Sequence, residues 1–369
     1  MDYITIKLPF NVDGDVAKEL LSTAWLFKTA TYRVLSSARR GLLPGNRIGW
    51  KDMFRGIAYE VIPNRRYADG AAILVMSIYE SCRELGIDFR SVELSDWLVF
   101  QQSELEHPNR NITLKPNHEF HITTIRYNGS TGRVVVKPTV PGSYRQLLDA
   151  IITGRVEYMG RVVVGDYGVR NNRLWIHGEV HMTVPLDIYY EHMARHRRNT
   201  GRLFGGVDVN TDRINLAIID KEGRLIDHKT FWFSEASRKG FSRHSAWSII
   251  GMRIHEMLNY AYHHGVKTLF LENPEVLGRL KLAWIKSGDR GRENYNHKVA
   301  TFRSSIIERI AIKAPLYSIE TKYVNPRGTT NSTEHDELMR KYGLDRHTAS
   351  AYLIALRGLR HQQKNECYK

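Results

Sequence analysis

The sequence predicts a two-part α+β chain: a β-rich N-terminal half interrupted by helices, then an α/β part with the element order of an RNase H-like fold. Three observations predict it. "DYITIKLPF" alternates apolar and polar residues as a half-buried strand does, and β texture returns only at Asn111. The stretch between carries helical spacing. From Leu203 onward, three short strand patterns are followed by alternating helices and strands, which is the RNase H-like order.

Taken in order, "GDVAKELLSTAWLFKTATYRVLSSARRG" spaces its apolar residues for a helix that ends before Gly41. "ARRGLLPGNRIGW" reads as a basic loop broken by Gly and Pro. Two further helical patterns lie near 68–84 and 92–105. "NITLKPNHEFHITTIRYNGSTGRVVVKPTV" reads as strand, turn, strand, and "RVEYMGRVVVGDYGVRNNRLWIHGEVHMTVPL" continues in β runs. The expectation is a small barrel or sandwich over 1–10 and 106–188, with a helical module inserted at 11–105. A basic connector follows at 189–202, which by itself reads as a solvated helix. Strands are then expected near 203–209, 214–219 and 225–233. The helix at 246–264 places Ile250, Ile254, Met257, Leu258 and Ala261 on one face, and Gly265 ends it. "VKTLFLE" is a continuous apolar strand, as expected where both sheet faces are covered. A helix carrying Val299, Phe302, Ile306 and Ile310, a strand in "LYSIETKYV" and a final helix through Ala349, Tyr352, Leu353 and Leu356 complete the 203–369 domain.

Composition narrows the function classes. The 369 residues are 42% hydrophobic, enough for several cores. No apolar run reaches the roughly 18 residues of a membrane span. "MDYITIKLPF" lacks a signal-peptide pattern, so a cytoplasmic location is the expectation. The 2 cysteines, Cys82 and Cys367, exclude both a disulfide framework and a four-thiolate zinc site. The formal charge of +15 favours a polyanionic partner, most often nucleic acid.

One residue is out of place for a core strand. Asp208 stands between Val207 and Val209 in "FGGVDVNTDRINLAIIDKEGRLID". A lone carboxylate there costs several kcal/mol unless something pairs with it. Two more acids occupy comparable places. Glu272 ends "TLFLE", and Asp345 opens the last helix in "YGLDRHTASAYLIALRGL". Singly, Asp345 reads as an N-cap and Glu272 as a strand-end carboxylate. Together, on a hairpin strand, a neighbouring strand end and a helix N-terminus, they can converge at one edge of the sheet. Clustered carboxylates repel unless a cation neutralises them, and hard oxygen ligands suit Mg²⁺ or Mn²⁺. Two such ions can activate a water and stabilise the leaving oxygen of a phosphodiester.

"GGVDVNTDRINLAIIDKEG", "VKTLFLENPEVLG" and "DRHTASAYLIALRG" resemble the three RuvC segments of the TnpB family. Its members are transposon-encoded, RNA-guided DNA endonucleases related to the compact type V CRISPR effectors. "HSAWSIIGMRIHEMLNYAYHHG" resembles the helical segment between that family's first two RuvC motifs, and "YVNPRGTTNS" its "VNP-x-x-TS" stretch. The specific likeness covers roughly 203–358. The N-terminal half matches in organisation only, a wedge-like β-barrel interrupted by a helical recognition module. The resemblance implies a RuvC-like nuclease domain over 203–369, with Asp208, Glu272 and Asp345 as catalytic ligands of two Mg²⁺ or Mn²⁺ ions. It also implies a guide RNA and target double-stranded DNA as partners, with no membrane role.

A guide–target heteroduplex needs a basic channel read by shape. Arg195, Arg197, Arg198 and Arg202 in the connector are candidate backbone contacts, as are Arg279, Lys281, Lys286, Arg290 and Arg292 after Glu272. Arg65 and Arg66 in "PNRRYADG", with "PGNRIGWKDMFRG", are candidates for reading a short motif beside the target. Other readings share part of this pattern. An RNA-guided DNA-binding protein with weak or no cleavage, acting as a repressor or transposition accessory, would differ only at the acids. A guide-independent RuvC-like nuclease would not need the N-terminal half. An actin-like sugar kinase also has an Asp in a Gly-rich hairpin strand, but its second phosphate hairpin and adenosine loop are absent.

The chain departs from the TnpB pattern in two places. Asn210 stands where that family usually has Gly, and no Cys pairs lie between Asn325 and Asp345 where it usually carries a zinc ribbon. "NSTEHDELMRKYG" reads instead as a short helix, with Asn331 or Ser332 at its start and Gly343 past its end. Leu338 and Met339 would face inward, with Arg340 and Lys341 toward DNA. The purified protein should contain no stoichiometric zinc, and a zinc-selective chelator should leave its melting temperature unchanged. Elemental analysis finding one zinc per chain would contradict this reading of the segment.

Overall fold

A computed structural model describes residues 2–194, 199–237, 241–274, 283–285, 291–325 and 332–366. The chain divides into two compact units. One holds residues 3–192 and the short strand Ala283–Ile285; the other holds the described residues from 193 to 274 and from 298 to 366.

In the first unit, β1 (Tyr3–Asp13) alternates buried and open positions, as its sequence predicts. It pairs antiparallel along its whole length with β8 (Arg173–Pro185), from Tyr3 opposite Pro185 to Asp13 opposite Trp175. β7 (Met159–Arg170) and β3 (Leu98–Gln101) complete a four-stranded sheet in the order β1-β8-β7-β3. β4 (Ile112–Leu114), β5 (Phe120–Ile125) and β6 (Thr131–Val136) form a separate meander. Tyr158 links the two sheets: its hydroxyl accepts from the Leu114 amide at 2.7 Å and donates to the Ile112 carbonyl at 2.9 Å. The described ladders of this unit are thus these two sheets, linked through the Tyr158 side chain, and one separate two-stranded pair, while an isolated bridge joins Glu106 to Tyr158.

The helices inserted after β1 are α1 (Gly14–Ala38), α2 (Arg47–Tyr59) and α3 (Arg65–Leu85). α1 buries Ala17, Leu20, Ala24, Phe27, Thr31, Val34 and Leu35, the stripe its spacing predicts. Three expectations are corrected here. Residues 92–105 are not a helix: Val92–Leu94 is β2, pairing with β13 (Ala283–Ile285), and Leu98–Gln101 is β3. A short, wholly buried apolar run has no period that separates helix from strand, and pairing with β7 decided it. Arg47–Trp50, the end of the stretch read as loop, is instead the first turn of α2, because Asn46 caps it by accepting from the Gly49 amide and Trp50, Phe54 and Ala58 form the helix's buried stripe. Gly142–Thr153 is α4, inside the stretch read as β; it buries only Leu147, Leu148 and Ile151, too few to show a period. A short helix α5 (Leu186–Met193) follows β8 directly.

The second unit follows the expected order closely. β9 (Leu203–Val209), β10 (Arg213–Ile219) and β11 (Leu225–Trp232) meander antiparallel. β12 (Val266–Glu272) then pairs parallel with β9, and β14 (Glu320–Val324) parallel with β12. The resulting order, β11-β10-β9-β12-β14, is the RNase H-like topology. α6 (Arg243–His263) buries Ile250, Ile254, Met257, Leu258 and Ala261, and Gly265 follows it at a φ of 75°. α7 (Gly291–Lys313) buries Ile306, Ile307 and Ile310. α8 (Thr333–Tyr342) is the expected short helix: Ser332 caps it by accepting from the His335 amide, and Gly343 ends it in the left-handed region. Its Leu338 and Met339 pack on the cluster formed by Phe270, Val324, Leu344 and the final helix, α9 (Arg346–Glu366).

Strand alternation sets which residues face α9. Phe204, Gly206 and Asp208 share one face of β9, and Phe270 and Glu272 share the matching face of β12. Phe204 and Phe270 stack with centroids 6.1 Å apart. α9 crosses this face so closely that a Cβ at Gly206 would lie 2.1 Å from the Ala351 carbonyl oxygen and 2.5 Å from the Ala355 nitrogen. Gly206→Ala should therefore destabilise the protein by about 1–3 kcal/mol, as overpacking does. Gly251→Ala, on α6 with open space at its Cβ, should instead be neutral or stabilise by up to ~1 kcal/mol. Denaturant unfolding of the two variants checks both signs.

Candidate acidic site

Asp208 and Glu272 lie at the C-terminal ends of adjacent parallel strands, the position where open α/β sheets present ligands. Both are only 5% exposed. What neutralises them comes from α7. Arg303 reaches over the strand ends: its Nε donates to the Val209 carbonyl, and its Nη2 lies 3.1 Å from Glu272 Oε2 and 3.5 Å from Asp208 Oδ1. One guanidinium thus spans two buried carboxylates.

The other Asp208 oxygen is held from the opposite side. Asn210 Nδ2 donates to Asp208 Oδ2 at 2.7 Å and also lies 3.0 Å from His347 Nδ1, which is itself 3.3 Å from Asp208 Oδ2. Directly across the hairpin from Asp208, Asn215 is 1% exposed. It donates to Thr230 at 2.8 Å and to Thr348 at 3.3 Å, while its Oδ1 is buried without a hydrogen-bond partner.

Asp345 opens α9. Its Oδ1 accepts from the amides of His347 at 2.9 Å and Thr348 at 3.2 Å, and its Oδ2 accepts from the Thr348 hydroxyl. Partial burial acts to raise its pKa, but these bonds outweigh it and hold the carboxyl below its ordinary value. His335 of α8 fixes the same turn through a contact of 2.9 Å between its Nε2 and the Arg346 carbonyl. The three acids therefore lie along one chain of polar contacts, Asp345–His347–Asp208–Arg303–Glu272. Asp208 and Glu272 face one Arg303 nitrogen, whereas Asp345 connects to them through His347. Among the described residues no group of 3 or more His, Cys, Asp or Glu side chains is gathered tightly enough to hold a metal ion. The donor chemistry of the pair suits a hard cation: two buried carboxylates, already holding one positive charge in the form of Arg303.

The expected nucleic-acid contacts are placed unevenly. Arg65 and Arg202 are exposed. Arg66 is engaged within the protein, its Nε 2.9 and 3.0 Å from the two Glu106 oxygens. In "PGNRIGWKDMFRG", Arg47 donates to the Ser103 carbonyl, Lys51 pairs with Glu104 and Arg55 with Asp69 at 2.6 Å. Those three side chains tie α2 to its surroundings. Arg195, Arg197, Arg198, Arg279, Lys281, Lys286 and Arg290 lie outside the described residues, as do the Arg292 side chain and residues 326–331 of the "VNP" stretch.

Residues 3–194 match the family described as SSO2105 N-terminal domain. An uncharacterized protein of Aeropyrum pernix is 62% identical over 360 residues, covering 97% of both chains. The chain belongs to the SSO2105 family. The SSO2105 protein of Saccharolobus solfataricus is itself 28% identical over 335 residues, covering 89% of this chain and 86% of that one. Among solved structures, a Cas12f1–sgRNA–target DNA complex aligns at a TM-score of 0.39 with 12% identity, over 93% of this chain and 82% of that one. Thermus thermophilus RuvC with a Holliday junction aligns at 0.30 with 12% identity, over 44% of this chain and 96% of that one.

Sequence reading of this SSO2105-family chain missed Arg303, His347 and Asn215. Arg303 had a signal of the same kind as Asp208: it lies on the apolar stripe of its helix, three and four residues before Ile306 and Ile307. His347 and Asn215 had none, because their partners are remote in sequence. The cap geometry makes a prediction for Asp345. Asp345→Ala should lower stability by about 0.5–2 kcal/mol, the usual cost of a lost N-cap, whereas Asp345→Asn, which can still accept the amide bonds, should cost much less. Paired thermal unfolding curves test the difference.

Proposed function

We propose that this chain is an RNA-guided DNA endonuclease of the TnpB type, with a RuvC-like nuclease part that hydrolyses DNA phosphodiesters at Asp208, Glu272 and Asp345. The observation that carries the proposal is the pair of buried carboxylates at neighbouring parallel strand ends under the final helix of an RNase H-like sheet. A structural role alone gives no reason to bury two acids there, since a well-packed apolar pair would cost less.

In this reading Asp208 and Glu272 hold a divalent cation, Mg²⁺ or Mn²⁺, and Asp345 completes the set for a second. Bound metal supplies an activated water and stabilises the leaving oxygen. The protein's own residues set the stage. Asn210 fixes the Asp208 oxygen and the His347 ring against each other, so the carboxylate cannot rotate freely. The formal charge of +15 supports nucleic-acid partners, a guide RNA and a double-stranded DNA target. A second reading, an RNA-guided DNA binder that cuts weakly, draws support from Asp345, whose carboxylate is turned into its own helix.

Asp208→Ala should retain copurifying RNA and salt-sensitive DNA binding, yet lose Mg²⁺- or Mn²⁺-dependent cleavage by about 1000-fold or more, the scale of several kcal/mol of charge stabilisation. Undiminished cleavage by this variant contradicts the site assignment. Absence of cleavage by the RNA-loaded wild type, with DNA binding intact, selects the second reading. RNA-free protein that cuts at full rate contradicts the guided mechanism.

A further inference from the structure

We infer that Arg303 is the resident counter-ion of the acid pair and that a divalent cation must displace it to enter. The inference rests on the metal-site reading above and adds a regulating residue to it.

Three observations carry it. First, one nitrogen, Nη2, faces both carboxylates, at 3.1 Å from Glu272 and 3.5 Å from Asp208; this is where charge compensation of the pair is needed. Second, both carboxylate side chains are nearly inaccessible, 6% and 7%, while that of Arg303 is 26% exposed. The arginine can withdraw toward solvent; the acids cannot. Third, the guanidinium is held elsewhere by a neutral carbonyl, that of Val209, through Nε. Its head can leave the acids without stranding another charge.

The physical consequence is an exchange of cations. The guanidinium beside both carboxylates keeps the pair from standing bare when no divalent ion is bound. A divalent ion compensates the pair more fully and takes its place at close range. The arginine therefore weakens apparent metal affinity, since part of the ion's binding free energy goes into displacing it. It also ties the strength of metal binding to whatever draws Arg303 outward. A phosphodiester is such a group, because guanidinium binds phosphate oxygens in its planar fork. In a chain that holds nucleic acid, arrival of the substrate backbone and loading of the metal then favour each other.

The test uses the full chain, with Mn²⁺ as the probe. Mn²⁺ affinity is measured by titration calorimetry, and melting temperature is measured in EDTA and in excess Mn²⁺, for wild type, Arg303→Gln, Arg303→Lys and Asp208→Asn. Arg303→Gln should melt lower than wild type in EDTA, gain more from Mn²⁺ than wild type does, and bind Mn²⁺ about tenfold tighter or more. Arg303→Lys keeps the charge on an ammonium without the planar fork. It should fall between the two, and it carries the test if Arg303→Gln does not fold. Equal Mn²⁺ affinity in wild type and the Arg303 variants, abolished by Asp208→Asn, overturns the exchange and leaves the metal site standing. Binding that is absent from all four proteins, or unaffected by Asp208→Asn, overturns the metal site itself.

Discussion

Two carboxylates buried at the ends of adjacent strands must be matched by positive charge, and much of the second unit is arranged around that requirement. Asp208 and Glu272 are 5% exposed each. Leaving either without a partner costs about 3–5 kcal/mol, comparable to the whole stability of many domains. The match is supplied from α7, a helix that enters the fold between the two parallel strands β12 and β14 in sequence. The crossover helix and the acids are thus tied together: Arg303 brings one positive charge to both carboxylates, and the carboxylates give an arginine on the apolar stripe of α7 charged partners.

The close seat of α9 follows from the same geometry. For Asp345 and His347 to reach the strand ends, the helix must run against the face that bears Gly206 and Asp208. Gly206 permits this because a side chain there would strike the backbone at Ala351 and Ala355. Thr348 serves two partners at once, donating to Asp345 and accepting from Asn215. The helix is thereby pinned to the sheet at the site, and farther along Tyr352 and Gln363 donate to the Gly223 and Lys221 carbonyls of the turn after β10. His335 adds a hold from α8.

The first unit shows a different logic. Its basic residues look free in sequence, yet Arg47, Lys51, Arg55 and Arg66 all have partners within the protein. A charge count measures the total, not its availability. Exposed Arg65 and Arg202 remain available to an outside partner.

The order of strands and helices in the second unit, the apolar stripe of α6, both ends of α8 and the oddity of Asp208 were determined by the sequence itself. Each depends on neighbours within a turn or a strand: spacing of apolar residues, a capping serine, a glycine, or an acid where its flanks demand an aliphatic residue. The tertiary structure decided what depends on partners far away. β3 is a strand because β7 pairs with it, not because Leu98, Val99 and Phe100 have any period of their own. β1 joins β8 across the whole inserted helical module. Arg303, His347 and Asn215 belong to the site because a parallel crossover, a final helix and a hairpin bring them to Asp208. Asp345 shows both at once. The sequence marked it as an N-cap and as an acid in the right order, and both features rest on local pattern. Only the fold set its distance from the other two acids, because that distance depends on how helix and sheet pack.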